Sequence, residues 1–263
     1  MKWYTQDPVY DSILLFAFIL AAAAAVGAFI LKTPYGRFGE GRAGIKMSPR
    51  LGWFLMELPA SVVFLAFYFT GARPFEPVSL VFLFIWCVHY LNRGFLFPFM
   101  IRVSPGHRQT FNLSVVASGW IVTSMHGYLN AAFITTLGGH FSTGWLSDPR
   151  FIAGAAVYYS GLFLNLHSDR ILRNLRPAGP VPEGPRYRVP SGGGFRFVSC
   201  PQYLGELIAW SGFALCTWSL AGVFILLISA ANLVPRAVST HAWYRDTFPE
   251  YPPERKALVP FLF

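Results

Sequence analysis

Several ionisable side chains stand inside stretches that are otherwise apolar enough for lipid. Glu57 lies in WFLMELPASVVFL, and His89, Tyr90, Asn92 and Arg93 lie in CVHYLNRGF. His126 and Asn130 sit in a further apolar run, and Glu206 opens another. Such residues are costly in a membrane and by default face a bundle interior or a cavity where they serve a function. A carboxylic acid held away from water can keep its proton and donate a hydrogen bond, and a group of that kind polarises a carbonyl. Pro59, two residues after Glu57, removes a backbone donor and leaves carbonyls beside Glu57 in need of partners. The plain alternatives are a structural acid bonded across helices to Arg93 or a histidine, and an interfacial anchoring role for Tyr90. His89 and Arg93 lie within one turn of Tyr90, so a face of that helix meets something polar.

A second constellation is NLHSDRILRNLR, residues 165–176, at the end of the apolar run FIAGAAVYYSGLFL. On a helix, Asn165, Asp169, Arg173 and Arg176 fall within about 80° of one another. Arginines that merely snorkel to headgroups leave Asn165 and Asp169 unexplained. A recessed amide and carboxylate, with arginines outside them, suit a ligand with hydroxyl or amide groups at one end and phosphates at the other. A nucleotide has that polarity. The following loop, PAGPVPEGPRYRVPSGGGFRF, adds Arg186, Arg188, Arg196, Tyr187 and a triple glycine that lets backbone approach a ligand closely. A strand-to-helix GxGxxG is missing, so a Rossmann domain is not indicated and a nucleotide site must be built from spans and loops.

The elements that must position these residues are membrane helices. The chain of 263 residues is 54% hydrophobic and 13% charged, with a mean hydropathy of +0.45, outside the range of soluble domains. Apolar stretches recur at 12–31, 51–70, 78–101, 111–137, 150–167 and 203–233. The first is too long for a signal-peptide core and follows Asp7 and Asp11, so it reads as a retained span. Basic loops 32–50, 102–110 and 168–202 alternate with the charge-poor segments 71–77 and 138–149. This is the positive-inside pattern, and it accounts for the net charge of +9 without nucleic acid. As one helix, 203–233 would be about 46 Å long against a hydrocarbon core of about 30 Å. The basic tail, about 234–263, belongs on the side of loop 168–202, so charge parity predicts two helices broken near Trp218-Ser219-Leu220. The expectation is an all-α integral membrane protein, a single seven-transmembrane-helix bundle over 1–263. Cys87, Cys200 and Cys216 show no metal-ligand or CxxC spacing and read as packing residues.

At this point the chain resembles the steroid 5α-reductases over nearly its full length. The resemblance rests on FLMELPA (54–60), CVHYLNR (87–93), NLHSDRILRNLR (165–176), YRVPSGGGFRFVSCPQYLGE (187–206), AWSGFALCTWSL (209–220), RAVSTHAWY (236–244) and YPPERKALVPFLF (251–263). It implies a seven-helix fold and NADPH-dependent reduction of a 3-oxo-Δ4-steroid, with hydride reaching C5 and a proton reaching C4. In the family a Glu and a Tyr bind the 3-oxo group, which implies catalytic and substrate-binding roles for Glu57 and Tyr90. The family's cofactor contacts carry over onto Asn165, Asp169, Arg176, Arg188, Glu206, Arg236, His241 and Tyr244. Of these His241 has no signal of its own, because a histidine in a basic tail reads as a solvated surface residue.

The chain departs from the family in places. Met56, a further substrate-binding position, stands where mammalian members have Gln, Gln202 replaces an asparagine, and Ser239-Thr240-His241 replaces a run of histidines. Met56 removes a possible hydrogen bond near the steroid and leaves room for another enone or a more apolar lipid. The rival readings are a related reductase of enoyl thioesters or polyprenol-type lipids and, from another class, a non-enzymatic seven-span transporter. A membrane methyltransferase using S-adenosylmethionine has less need of so many arginines. The expected partners are the steroid or lipid enone and membrane lipids, with no obligate protein partner. The expected location is a bacterial inner membrane or the endoplasmic reticulum, with basic loops and C-terminus cytoplasmic.

Overall fold

Helix starts in this chain follow from capping side chains and prolines. The computed structural model describes residues 1–30, 44–102, 111–175 and 187–263. Asp7 opens α1 (Pro8–Ile30) by accepting from the N–H groups of Val9 and Tyr10, donors that no intrahelical carbonyl reaches. Asp11 accepts from the backbone of Trp3, Tyr4 and Thr5, which curls the residues before α1 into a hook. Ser48 caps α2 (Pro49–Phe69), Asn112 caps α4 (Leu113–Ala132) and Asp148 caps α5 (Pro149–Asn174), each accepting from a first-turn N–H. Between them, α3 (Pro77–Tyr90) begins at a proline and runs on through a π-helical turn, Leu91–Leu96, to Met100. A second π turn, Phe133–Leu137, ends α4. Lys46–Met47 pairs antiparallel with Phe111–Asn112 and ties the start of α2 to the start of α4.

The last apolar run divides where charge parity requires it. α6 (Pro201–Thr217) stops at Trp218, which takes the left-handed conformation (φ 45°, ψ 46°). Ser219 then caps α7 (Leu220–Thr247) by accepting from Gly222 N–H at 3.0 Å. The seven long helices among the described residues stand where the sequence places its spans. Four of them, α1, α2, α3 with its extension to Met100, and α7, are long and apolar enough to cross a membrane, so the chain is a multi-pass membrane protein. α4 and α5 fall short on apolar content and α6 on length.

The expected tail from 234 needs correction. α7 runs through Pro235 to Thr247, because its last turns have something to pack on. Ala237 is buried with Cys200 and Leu258 in a small apolar cluster, and Arg236 Nε donates to Tyr203 Oη at 2.7 Å. The residues after α7 then fold back: Ser199 N–H donates to Lys256 O at 2.8 Å and Arg255 Nη1 to Pro190 O at 3.0 Å. Cys200 and Cys216 are buried packing residues, whereas Cys87 is exposed.

Two tight helix pairs frame the molecule. On α5 and α6 the glycines recur every seven residues, Gly154 and Gly161 against Gly205 and Gly212. A Cβ on Gly161 would lie 2.3 Å from Ala209 N, and one on Gly205 would lie 2.5 Å from Asn165 N. The backbones therefore touch, as small residues permit between membrane helices. The α2–α4 pair is joined by two hydrogen bonds, one of which replaces the donor that Pro59 lacks. Leu55 O, whose helical donor would have been residue 59, accepts from Trp120 Nε1 at 2.6 Å, and Met56 O accepts from Thr123 Oγ1 at 3.2 Å.

Candidate active site

The ends of α1 and α3, the first turns of α2 and α6, and stretches of α4 and the first half of α7 line a cavity of about 580 Å³. That volume lies in the range of small-molecule sites. Its wall is mainly apolar along α1, α4 and α7, with Leu20, Val122 and Ile225 among the contributors, and carries Ser118, Thr123, Ser229 and Asn232 as well. One side is polar, formed by Glu57, His89, Tyr90, Arg93, His126 and Glu206. Met56 also lines the cavity and lies so close to Gly119 that a Cβ there would meet its Cγ at 2.3 Å.

α3 supplies the centre of the polar side. Pro98 cannot complete an α-helical hydrogen bond, and the chain instead takes the π turn, with Phe97 N–H reaching Asn92 O. The turn exposes Arg93 O, which accepts from Trp53 Nε1 at 3.2 Å. The Arg93 guanidinium lies 4.6 Å from the Trp53 ring centroid and its Nε is 3.9 Å from Glu57 Oε1. Arg93 is also near enough to attract Asp169 and Glu206 through space, so one guanidinium serves three carboxylates. Tyr90, one turn earlier, brings its hydroxyl into direct hydrogen-bond contact with His126 Nε2.

A second hub surrounds Glu206. Its carboxylate accepts from Trp210 Nε1 at 3.0 Å and from Asn165 Nδ2 at 3.0 Å, and lies 3.4 Å from His89 Nε2. Asn165 Nδ2 also donates to Gln202 O at 2.9 Å, so both amide hydrogens have acceptors. The glycine contact of Gly205 with Asn165 explains why these side chains meet. Among the described residues, His89 Nδ1 and Gln202 Oε1 are buried without a hydrogen-bond partner. Native structures seldom leave such groups unmatched, so these two atoms fit a polar ligand reaching this wall.

The remaining expected positions form an outer group. Asp169 lies one turn beyond Asn165, half-buried, and Arg173 continues the same face, as the helical spacing requires. Arg176 lies outside the described residues, and Arg188 is exposed at the surface. Arg236 is held against Tyr203, and buried Tyr244 stacks on Tyr251 with ring centroids 5.3 Å apart. His241 is half-buried rather than solvated, and its Nδ1 is 2.6 Å from Ser199 Oγ. The triple glycine serves the fold first. Gly192 and Gly193 have φ of 84° and 48°, which glycine adopts freely, and a Cβ on Gly193 would lie 2.6 Å from His167 Cε1.

Comparison with known proteins bears directly on this arrangement. Residues 109–263 match the family model described as 3-oxo-5-alpha-steroid 4-dehydrogenase. The chain is 34% identical to 3-oxo-5-alpha-steroid 4-dehydrogenase 1 of Rattus norvegicus, over 96% of this chain and 95% of the relative. It is 33% identical to Steroid 5-alpha-reductase DET2 of Gossypium hirsutum, over 98% and 99%, and 35% identical to 3-oxo-5-alpha-steroid 4-dehydrogenase 2 of Sus scrofa, over 92% and 94%. The chain belongs to the 3-oxo-5-alpha-steroid 4-dehydrogenase family. As a steroid dehydrogenase family member it is an oxidoreductase, and the transporter reading gives way. Sequence reasoning flagged Arg93, His89 and His126 as polar groups inside spans but gave them no part in the site. Trp53 and Trp210 were missed outright, since an indole in an apolar run carries no signal until its N–H is seen to have a partner.

Proposed function

We propose that this family member is an NADPH-dependent reductase of the Δ4 double bond of 3-oxo-Δ4-steroids, releasing 5α-dihydrosteroids. The observation that carries the reading is the placement of the Glu57 carboxyl and the Tyr90 phenol on the polar side of a mainly apolar cavity. A flat hydrocarbon skeleton with one ketone matches that distribution. Glu57, in its protonated form, and Tyr90 donate hydrogen bonds to the 3-oxo oxygen and stabilise the negative charge that grows there. Arg93 adds its positive charge beside Glu57. NADPH, when bound, supplies the hydride that reaches C5, while a proton arrives at C4. Asp169, Arg176, Arg188, Arg236, His241 and Tyr244 hold the nucleotide. Asn165 and Glu206 would frame its inner end, where His89 Nδ1 and Gln202 Oε1 would supply partners to its polar groups. The same reading supposes that all seven helices cross the membrane, with the basic loops on the cytoplasmic side.

The test is NADPH oxidation by the detergent-purified protein with progesterone, testosterone and a trans-2-enoyl thioester, the products identified by mass spectrometry. A 5α-dihydrosteroid is expected. Reduction of the thioester alone transfers the enzyme to the enoyl or polyprenol-type branch, and failure to bind NADPH overturns the cofactor assignment.

A further inference from the structure

The cavity wall carries more polar groups than the carbonyl-binding side uses. Thr123 is committed to backbone, its hydroxyl lying 2.9 Å from Gly119 O and 3.2 Å from Met56 O. Ser118 on α4 and Ser229 and Asn232 on α7 have no part in the proposed reaction, yet all three line the same cavity. Serines in these helices return their proton to a carbonyl of the preceding turn, as Ser118 does to Val115 O and Ser239 to Pro235 O, both at 3.0 Å. The Ser229 hydroxyl makes no such bond among the described residues and is left to the cavity.

Two contacts set the helices in register. Tyr10 Oη donates to Leu129 O, which aligns α1 with the antiparallel α4, and the Phe18 ring lies 6.4 Å from that of Phe224, which aligns α1 with α7. At a rise of about 1.5 Å per residue, Ser118 and Ser229 then stand within about 3 Å of one level, with Asn232 about 5 Å beyond. On α4 the carbonyl-binding pair is marked by Thr123, bonded to Met56 O beside Glu57, and by His126, in contact with Tyr90. Ser118 lies about 8–12 Å from these two, toward the start of α4. The wall between is apolar, with Leu20, Ala24, Val122 and Ile225. A long molecule with an oxygen at each end and hydrocarbon between matches that order of surfaces.

We propose that Ser118, Ser229 and Asn232 form a second polar end of the cavity, which selects substrates carrying a hydroxyl opposite the reacting carbonyl over those that end in hydrocarbon. The Ser118 proton is committed to Val115 O, so its oxygen accepts, whereas Ser229 can donate or accept. Asn232 is already engaged by another contact, but an amide has two donor hydrogens and two lone pairs, and one contact does not exhaust it. A hydroxyl, donor and acceptor at once, is the group this set serves best. That the substrate is an enone rests on the reductase reading, while the hydroxyl-binding end does not.

The test is a matched pair, testosterone and androst-4-en-3-one, which differ only in the hydroxyl at the far end. The quantity read is the ratio of their kcat/KM values in the detergent-purified protein. Ser229→Ala is expected to lower that ratio about 5-fold, the scale of one neutral hydrogen bond, and Ser229→Ala with Asn232→Leu about 10-fold or more. Partition of the more apolar steroid into micelles is common to all three proteins and cancels in the comparison. The same ratio is read without turnover, as affinities from quenching of tryptophan fluorescence, to which Trp53 and Trp210 in the cavity wall contribute. A ratio that neither variant alters, in kinetics and in binding, overturns the second polar end and leaves the reductase reading standing. A wild-type protein that reduces neither steroid, but whose binding ratio falls in the variants, sinks the reductase reading and keeps the polar end. Binding of neither steroid overturns both.

Discussion

Tyr90 and Asp169 separate the two halves of the proposed chemistry. Tyr90→Phe keeps the ring that packs on Trp86 and Trp210 and removes only the hydroxyl. It is expected to lower kcat by about 10²–10³ and to leave NADPH binding, followed by quenching of protein fluorescence, as it was. Asp169→Ala should do the reverse. A charged hydrogen bond contributes about 1.5–3 kcal/mol, so NADPH affinity should fall about 10- to 100-fold in a titration while the melting temperature stays near that of the parent. Loss of folded protein instead would assign Asp169 to structure, through its attraction to Arg93. The residue types in these sites were legible because lipid makes each polar group conspicuous. Their partners were not: whether Tyr90 meets His126 or Glu57 depends on the rotation of α3 relative to α2 and α4, which no local pattern encodes.

Among the elements, α5 and α6 are locked by contact and α5 by its cap. Gly161→Ala would drive a Cβ to 2.3 Å from Ala209 N. Backbone cannot yield as a side-chain tip does, and overpacking of this kind costs about 1–3 kcal/mol, so a lower melting temperature is expected, with the Asn165–Glu206 contact displaced. The cap responds to acid. Arg150 bonds Asp148 through its side chain and its backbone N–H and holds the carboxyl at about 2, below the ordinary value of about 3.9. A carboxyl lowered on folding contributes stability above the unfolded value and loses it as the pH falls toward the folded one. Melting temperature should therefore decline between about pH 4 and 2, and Asp148→Asn should flatten that part of the curve. Element boundaries were legible where chemistry punctuates them: the break at Trp218 follows from charge parity and length, and the need for partners near Glu57 follows from Pro59. The continuation of α7 through Pro235 was hidden, because what sustains it, the packing of Ala237 on Cys200 and Leu258, is far away in sequence. The π turns also escaped, since apolar periodicity does not distinguish them from α-helix.

Two seams dominate the whole molecule, α2 with α4 and α5 with α6; α7 packs on α6 and α1, and α3 carries His89, Tyr90 and Arg93 to the cavity. Substrate chemistry is assigned to α2 and α3 and cofactor chemistry to α5, α6, α7 and the segment before α6, so the proposed site draws on both seams. Seven crossings would put the two termini on opposite faces. In a cysteine-free background, Lys2→Cys and Lys256→Cys in sealed vesicles should react with an impermeant maleimide from opposite sides, and labelling from one side would require an even number of crossings. The all-α architecture could be read from composition alone, whereas the way the ends close could not. Tyr4 Oη accepts from Leu220 N–H, 216 residues later, and Tyr4 stacks on Phe133 at 5.9 Å. During synthesis the first helix is therefore made long before the last residue that its hook grips. That end of the bundle closes only on arrival of the last helix, and a ribosome stalled before α7 would leave a chain whose beginning is still open to proteases.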